Sequence, residues 1–374
     1  MIEKAVELSN IKQGMIITQD IYSRDNNLIA KKNSVVTTKI LNRLRFSSVS
    51  TISVLIDEKT GSPTLDKSSS GGNSPIEDAI KTPQKLNETQ KTREFQIFDA
   101  AHDKLTNDFD LMANSLIKTS NPVDNNQLLS MLDCVIGKTT NSYHLITLLS
   151  NIQRHSNFTC VHSINVSLIC NSFAKWLKFS DQTVTLLTLA GLLHDIGKLT
   201  IAKNIIDSPK KLSDSELALI KTHPEKGYNI LKNKSSNQNL QLVALMHHEK
   251  IDGTGYPNQL AGNNINKMAK LVTIADVYEA MTAYRPYRGP ICTFDVIDKI
   301  EYDGYTKYDP EYLSIFLNGI ADSHLNCKVE LESGDIGKVV MINKHKLSRP
   351  IIQLENNNFI DLSKEKTNKI KRVL

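Results

Sequence analysis

Residues 194–198 read His-Asp-Ile-Gly-Lys, and residues 247–257 read His-His-Glu-Lys-Ile-Asp-Gly-Thr-Gly-Tyr-Pro. Behind them lie Asp276 and the segment Arg-Pro-Tyr-Arg at 285–288. Four of the ten histidines of the chain fall within this region, and His162 lies a short distance upstream. Imidazole and carboxylate groups together suit first-row divalent ions. The density of such groups therefore indicates a metal centre with more than one ion.

Apolar side chains before the first motif recur with helical spacing. Leu187, Ala190 and Gly191 belong to a series at three- and four-residue steps, which predicts a buried helix. That helix should end at His194 and Asp195. At a helix end the imidazole can hold one ion, while the carboxylate, with its two oxygens, bridges to a second.

Two further helices are predicted to carry ligand residues. Ser213 followed by Glu216 fits a capping box, so a helix should begin there and run to about residue 221. Pro224 suits the first turn of the next helix, which places His223 at its entrance. The segment 271–283 reads as another helix and contains the lone aspartate of this region.

Five segments thus supply seven candidate metal ligands with nitrogen or oxygen donors. They are His162, His194, Asp195, His223, His247, His248 and Asp276. Seven ligands are enough for two ions with coordination positions left open for water. Because five of the seven are imidazoles, we expect Fe or Mn in preference to Mg, with zinc as an alternative.

The N-terminal part of the chain differs in character from this region, and 374 residues exceed the comfortable size of one core. Residues 1–56 predict a small β-rich domain. Its expected elements are strands at 15–17, 28–30, 35–37 and 51–56, a turn at 25–27 and a brief helix over 38–45. Residues 57–90 contain glycine, serine and few apolar side chains, which predicts a flexible linker.

The fold class predicted for the whole chain is mainly α. Residues 91–320 should form the helical domain, and residues 321–374 a short C-terminal β appendage. In that appendage we expect strands near 329–331, 339–342 and 351–354, and a turn at 333–335. The basic residues 369–374 read as a solvated tail without a function.

Composition excludes several classes of protein. The net charge of +5 is spread along the chain, which is a poor signature of binding to a nucleic-acid polymer. Five cysteines, none spaced as Cys-x-x-Cys, argue against a disulfide framework and a thiolate zinc site. No apolar run approaches the roughly 18 to 20 residues of a membrane span, and a signal-peptide core is missing. We therefore expect a cytoplasmic protein that makes no membrane contact.

The motifs resemble those of a known family. The His-Asp pair within 194–198 is similar to the signature of the HD superfamily of metal-dependent phosphohydrolases. The run 247–257, followed by Ala-Asp-Val-Tyr-Glu-Ala-Met-Thr at 275–282 and by Arg-Pro-Tyr-Arg, resembles the HD-GYP family of cyclic-di-GMP phosphodiesterases. This resemblance covers residues 155–315, and it implies an all-helical HD-type bundle.

The resemblance also implies a reaction and its residues. A hydroxide bridging two ions would hydrolyse cyclic-di-GMP to pGpG, with a second cut to GMP left open. Asp195 would bridge the ions, and Lys198 would reach a substrate phosphate. Tyr256 would shape the loop beside the nucleotide, while Arg285 and Arg288 would contact the other phosphate or the guanine edges.

The sequence departs from the family pattern at the rim of the expected site. Some members bind a third ion through a glutamate one helical turn before the first histidine, where this chain has Phe158, so a two-metal site is favoured. Tyr284 stands where an aspartate usually precedes Arg-Pro-Tyr-Arg, and Gly289 and Pro290 follow that segment. These changes affect the fit of the substrate and leave the ligand set complete.

Two alternative functions stay open at this point. One is a non-catalytic cyclic-di-GMP sensor that signals through the N-terminal domain, although its complete ligand set argues for turnover. The other is an HD nucleotidase that acts on mononucleotides. The helical lead-in over 92–150 is a candidate homodimer surface, and the N-terminal domain is a candidate site for a protein partner.

Overall fold

The computed structural model describes residues 2–7, 15–22, 28–32, 34–36, 40, 51–56, 89–152, 157–208, 210, 212–284, 289–365 and 367–374. The chain divides into two compact units, Met1–Gln84 and Lys85–Leu374. The predicted linker over 57–90 lies outside the described residues except for its last two, which begin a 3-10 turn at Thr89–Lys91.

The N-terminal unit contains two antiparallel strand pairs. Strand β1 (Ile2–Glu7) pairs with β4 (Thr51–Ile56), and β2 (Ile21–Tyr22) pairs with β3 (Leu28–Ala30). Apolar side chains from these segments and their neighbours form a small core: Met15, Ile17, Ile21, Ala30, Val36, Ile52 and Val54. The unit therefore has a core of its own.

The strands predicted at 28–30 and 51–56 are confirmed. In the segments predicted as strands at 15–17 and 35–37, the described residues form isolated bridges, Ile16 with Val35 and Ile17 with Val54, and Thr37 lies outside the described residues. Strand β1 was not predicted. The turn at 25–27 and the helix over 38–45, apart from Ile40, lie outside the described residues.

Helices dominate the second unit. In chain order they are α1 (Arg93–Lys118), α2 (Asn125–Ile136), α3 (Ser142–Leu149), α4 (Phe158–Trp176), α5 (Asp181–Leu193), α6 (Lys203–Ile206), α7 (Asp214–Ile220), α8 (His223–Lys234), α9 (Gln238–Met246), α10 (Lys267–Thr282), α11 (Thr293–Asp303) and α12 (Pro310–Ser323). None of these described helices is long and apolar enough to cross a membrane.

Helix α4 lies at the centre of the bundle, because every residue from 160 to 174 is buried. A helix that is buried on all sides is typical of the interior of a large domain. Helices α3, α5, α10 and α12 pack around it. At its C-terminal end, the Trp176 indole stacks on Tyr143 with 5.6 Å between ring centroids, and its Nε1 donates to Ser142 Oγ at 3.1 Å.

Helix α1 packs one face against this bundle. Its N-terminus is capped by Thr92, whose side chain accepts from Phe95 N, and such caps stabilise a helix end. Phe98, His102 and Leu105 recur at three- and four-residue spacing and are all buried. The lead-in helix is thereby an integral part of the second unit.

The C-terminal segment forms one antiparallel sheet in the order β8-β7-β6-β5-β9. Its strands are β5 (Lys328–Leu331), β6 (Ile336–Met341), β7 (Ile351–Leu354), β8 (Phe359–Asp361) and β9 (Ile370–Val373). Three of them lie where strands were predicted. Val329, Leu331, Val339 and Ile352 enter the same hydrophobic core as the helices, so the sheet and the helices form one compact unit.

The solvated tail predicted for 369–374 is wrong. Residues 370–373 form the edge strand β9 and pair with β5. Ile370 is buried, while Lys371 and Arg372 point outward and form ion pairs with Glu330. The charges that suggested a tail lie on the exposed side of a strand, whose other side packs on the core.

Candidate metal centre

Helix α5 carries the first ligand pair to the centre of the bundle, as predicted. His194 is the residue that follows the helix, and Asp195 begins the 3-10 turn Ile196–Thr200. Both side chains are buried. The 3-10 turn brings Lys198 back over the carboxylate, with Nζ 2.5 Å from Asp195 Oδ2.

Gly197 allows this turn to lie against the start of α8. A Cβ atom at that position would be 2.0 Å from the carbonyl oxygen of His223 and 2.6 Å from Gly227 N. Such distances exclude any side chain, so glycine is required here for close approach of two backbones. The contact sets the distance between Asp195 and His223.

The predicted start of α8 is confirmed. The capping box of Ser213 and Glu216 begins α7, and Pro224 occupies the first turn of α8 next to His223. The His223 ring donates from Nδ1 to the Ile220 carbonyl at 2.6 Å. Its Nε2 therefore carries a lone pair, which faces the interior of the site.

Two other rings are fixed in the same way. His194 Nδ1 donates to the Gly191 carbonyl at 2.7 Å, and His247, at the end of α9, donates from Nδ1 to the Ala244 carbonyl at 3.0 Å. A backbone carbonyl can only accept, so each ring keeps its proton on Nδ1 and directs the Nε2 lone pair inward. Hydrogen bonds of this kind are typical of histidines that bind metal ions.

Asp195 belongs to two groups of potential ligands. One consists of Asp195, His223, His247 and His248, the other of His162, His194 and Asp195, and in each the ligand atoms lie within 4.8 Å of one another. Asp195 Oδ1 is 3.1 Å from His223 Nε2, whereas Oδ2 is 3.3 Å from both His162 Nε2 and His194 Nε2. One carboxylate oxygen thus faces each group, which is the arrangement that a bridging ligand requires.

Asp276 lies between the same two groups. Its Oδ1 is 3.0 Å from His162 Nε2 and its Oδ2 is 3.7 Å from His248 Nδ1. Helix α10, predicted over 271–283, holds the carboxylate in a buried position. The structure therefore brings all seven predicted ligands together.

The chemistry of the donor set fits a cation. His194 Nε2 and Asp195 Oδ1 are buried and have no hydrogen-bond partner among the described residues. His223 Nε2 and His247 Nε2 face each other at 3.1 Å, although both rings place their proton on the other nitrogen. Buried acceptors that face acceptors are costly, and divalent ions satisfy them.

Electrostatics prepare most of these groups for metal binding. Burial opposes ionisation of Asp195, but Lys198 holds the pKa of its carboxyl well below the usual range. Burial lowers the pKa of His247 to about 4 and that of His248 well below its ordinary value. At neutral pH the aspartate is ionised and both imidazoles are neutral, which are the forms that bind ions.

The pKa of His162 is shifted in the opposite direction, upward from the ordinary value. Burial lowers the pKa of His162, but Glu279, Asp195 and Asp276 raise it to about 10. In an ion-free site this ring holds a second proton, because three carboxylates surround it. An ion that binds at His162 must displace that proton.

Comparison with known proteins identifies the region that contains this site. Residues 140–312 match the family described as HD domain. The matched segment contains all seven predicted ligands. The chain is 34% identical over 208 residues to a cyclic di-GMP phosphodiesterase of Pseudomonas aeruginosa, covering 55% of this chain and 50% of that protein. It is 36% identical over 160 residues to a 3′3′-cGAMP-specific phosphodiesterase of Vibrio cholerae, covering 43% of this chain and 35% of that protein.

The chain spans half or less of the length of these two curated relatives. Among solved structures, it resembles an HDG"Y"P protein of Bdellovibrio bacteriovorus with a TM-score of 0.52 and 19% identity, covering 84% of this chain and 98% of that one. This likeness concerns the fold. The predicted class is confirmed: a mainly α HD-type bundle with a small N-terminal β unit and a short C-terminal sheet.

The Gly-Tyr-Pro loop at 255–257 packs on one ligand. The Tyr256 ring stacks on His248 with 4.6 Å between centroids, and Lys221 Nζ lies 5.5 Å from the centroid of the tyrosine ring. A Cβ on Gly255 would lie 2.4 Å from Glu249 Cα, so only glycine permits the loop to come this close. The loop therefore orients His248 through Tyr256.

Sequence reasoning missed Glu249, which anchors this loop. Its side chain is buried and accepts from Asn258 N at 2.7 Å and from Leu260 N at 3.0 Å. A buried carboxylate with backbone partners is a common means of fixing a loop. The signal was present, because Glu249 directly follows the His-His pair.

Glu279 and Asn165 were also missed, and both support His162. The His162 ring donates from Nδ1 to Glu279 Oε2, and Asn165 Nδ2 donates to Glu279 Oε1 at 2.9 Å. Each lies three residues after a predicted ligand, Asn165 after His162 and Glu279 after Asp276. Helical residues at this spacing share a face, so the pattern could have identified them.

A cavity of about 770 Å³ opens beside the ligands. Lys198, His162 and Asp276 line one side, and aliphatic residues of the segment 205–220 line another. Phe158 completes the wall, and its ring stacks on Tyr284 with 6.4 Å between centroids. Two of the three departures from the family pattern, Phe158 and Tyr284, thus lie side by side next to the cavity.

Arg285 and Arg288 lie outside the described residues. Their predicted contact with the substrate stays a prediction. The same holds for the phosphate contact of Lys198, although its ammonium group lines the cavity beside Asp195.

Proposed function

We propose that this protein is a metal-dependent phosphodiesterase that hydrolyses cyclic-di-GMP to pGpG. The observation that carries the proposal is the position of Asp195, which faces two groups of ligands at the floor of the 770 Å³ cavity. Cavities of this size are typical of small-molecule sites. Relatives with this domain are named cyclic di-GMP and cGAMP phosphodiesterases, which supports the substrate class.

The seven ligands would hold two divalent ions, and we propose Fe or Mn because imidazoles predominate. Bound ions would supply Lewis acidity toward a phosphoryl oxygen and lower the pKa of water. Asp195 and Asp276 stay ionised when buried, because burial is outweighed by Lys198 for the first and by His162 for the second. Two carboxylates return about −2 of the +4 charge of two ions, so the floor of the cavity stays positive and attracts a phosphodiester.

The chain's own residues orient the substrate. Lys198 can leave Asp195 to meet a phosphate oxygen in the cavity, since both line the same wall. The aliphatic residues along 205–220 and the ring of Phe158 offer apolar surface to the bases. A phosphate at the charged floor and bases against the apolar walls would hold a cyclic dinucleotide with one phosphodiester bond at the ligands.

The competing functions predict different products. A non-catalytic sensor would bind cyclic-di-GMP without turnover, and the convergence of all seven candidate ligands counts against it. A nucleotidase would act on GMP or pGpG and leave the cyclic dinucleotide intact. Three further predictions accompany this function. They are dimerisation through residues 92–150, a protein partner for the N-terminal unit and a cytoplasmic location.

The proposal is tested with protein purified without oxygen and analysed for bound metals. Cyclic-di-GMP, 3′3′-cGAMP and pGpG are supplied separately, and the products are resolved by chromatography. We expect two equivalents of divalent metal and conversion of cyclic-di-GMP to pGpG. Binding without hydrolysis at full metal content would favour the sensor, and faster cleavage of 3′3′-cGAMP would assign the other cyclic dinucleotide.

A further inference from the structure

A buried chain of hydrogen bonds leads from His162 away from the cavity to helix α1. Glu279 accepts from the His162 ring through one oxygen and from Asn165 Nδ2 through the other, the latter at 2.9 Å. Asn165 Oδ1 lies 2.9 Å from His102 Nε2. Because the amide nitrogen must donate to the carboxylate, the amide oxygen accepts, and His102 is the donor. We call His102, Asn165 and Glu279 the relay.

The relay joins three helices that do not follow one another in the chain. His162 and Asn165 share one face of α4, while Asp276 and Glu279 share one face of α10, each pair separated by three residues. His102 comes from α1. All three relay side chains are buried, at 0%, 7% and 3% relative exposure for His102, Asn165 and Glu279.

We propose that Asn165 and His102 are positioning residues for the metal ion held by His162. Glu279 is a buried carboxylate, and it keeps one orientation when both oxygens have donors. Asn165 supplies the donor on the side away from His162, and His102 fixes the direction of the Asn165 amide. With Glu279 held, the His162 ring keeps its proton on Nδ1 and aims Nε2 at Asp195 and Asp276.

The relay serves one of the two ligand groups. In the group with His223 and His247, the Nδ1 atoms donate to backbone carbonyls of their own helical segments and are oriented by these bonds. Damage to the relay should therefore weaken one ion and spare the other. A general loss of stability would affect both groups alike.

The inference rests on the metal centre of the proposed function and requires no particular substrate. Its experiment therefore measures metal alone. Each variant is purified, stripped with a chelator and titrated with Mn²⁺ while bound ions are counted and affinities recorded. Circular dichroism and thermal unfolding confirm that the protein is folded.

The first variant is Asn165→Leu. The leucine side chain is similar in volume to asparagine and forms no hydrogen bonds. Loss of a residue that orients a metal ligand typically lowers metal affinity by about 10-fold to 100-fold, and we expect this loss for one of two ions. The matched control is Asn171→Leu, since Asn171 is a buried amide on the same helix that donates to Thr188 Oγ1 at 3.0 Å. If Asn165→Leu does not fold, Asn165→Asp is measured in its place. The new aspartate would set a second carboxylate opposite Glu279.

The second variant tests the far end of the relay. His102→Phe should weaken the same ion by a smaller factor, about 3-fold to 10-fold, because it acts through Asn165. His102→Gln retains an amide donor and should restore the wild-type affinity. His324→Phe is the control, as His324 is equally buried and bonds to the Ile320 carbonyl outside the site.

Unchanged binding of both ions in Asn165→Leu would overturn the proposal, and so would an equal loss in Asn171→Leu. Loss of both ions in parallel would show a structural role instead. If cyclic-di-GMP is not hydrolysed but Asn165→Leu weakens one ion selectively, the proposed function fails and the relay stands. If the wild-type protein binds no metal, the proposed function and the proposed role of the relay fail together.

Discussion

Lys198 Nζ lies 2.5 Å from Asp195 Oδ2, the same oxygen that faces His162 and His194. Lys198 helps to keep this carboxylate ionised. Its ammonium group would also share the oxygen with a divalent ion and repel that ion, so the net effect of the lysine is to oppose metal binding while it provides a cation for the substrate. The effect of Lys198 on metal affinity and its effect on substrate binding can be measured separately. The first depends on its positive charge near the Asp195 carboxylate, and the second depends on that charge near a substrate phosphate.

Lys198→Met should raise the affinity for divalent metal several-fold and lower kcat/KM. Loss of one charged contact to phosphate is worth about 1.5 to 3 kcal/mol, or roughly 10-fold to 150-fold in kcat/KM. Metal titration gives the metal affinity and steady-state kinetics give kcat/KM, and both are measured on one preparation. Lys203→Met, at an exposed neighbouring position, should change neither. A parallel fall of affinity and activity would assign Lys198 a structural role.

Asp195→Ala should lose bound metal and hydrolysis together while the protein stays folded. The carboxylate faces both ligand groups, so neither group is complete without it. Metal analysis, activity and circular dichroism are measured side by side with Asp133→Ala, which changes an exposed aspartate on α2. Hydrolysis at normal metal content in Asp195→Ala would refute the assignment of this ligand.

Gly197→Ala should destabilise the second unit, since the new methyl group would overlap the backbone at His223. Overpacking of this kind costs about 1 to 3 kcal/mol of unfolding free energy. Denaturant unfolding measures the effect, and the shift of α8 should also weaken metal binding. Gly289→Ala is the control, because a Cβ there meets nothing within 4 Å. Equal stability of the two variants would contradict the close approach described for Gly197.

Phe158→Ala should raise KM for the cyclic dinucleotide and leave kcat nearly unchanged. A base stacked on an aromatic ring contributes about 1 to 3 kcal/mol, so we expect an increase of roughly 5-fold to 150-fold. Phe158→Tyr should restore binding. A small artificial phosphodiester without bases should react equally with all variants. If Phe158→Ala slows that substrate as well, the ring supports the centre and does not contact the base.

Arg285→Ala tests a residue assigned from the motif alone. A charged contact to phosphate or guanine is worth roughly 1.5 to 3 kcal/mol, so affinity for cyclic-di-GMP should fall by about 10-fold to 150-fold. Metal content and hydrolysis of the artificial phosphodiester should stay nearly constant. Equal losses with both substrates would indicate that Arg285 maintains the site and does not recognise the dinucleotide.

Local signals account for the elements that were predicted correctly. The apolar spacing before His194 and the capping box at Ser213 depend on residues within one or two helical turns, and both appear in the structure. The ligand set was predicted because histidines and aspartates are concentrated in a few motifs that resemble those of a known family. For the helix before His194 and the capping box, the neighbours along the chain decide the conformation.

The elements that were missed depend on distant partners. Strand β1 pairs with β4, nearly fifty residues later, and its own short sequence gives little indication of a strand. Asn165 bonds to Glu279 across 114 positions, so its role emerges only when α4 and α10 pack together. Strand β9 combines one buried isoleucine with exposed charges, and a short basic segment of this kind also resembles a tail.

The position of Trp176 gives the molecule a built-in optical probe. It is the single tryptophan of the chain, held between Ser142, Tyr143 and Phe316 at the end of α4. His162 lies fourteen residues earlier on that helix, about 20 Å away along its axis. Intrinsic tryptophan emission therefore follows melting of the helical unit. Any variant that moves this indole, including truncations within α1 to α3, can be recognised by its emission wavelength before metal is added.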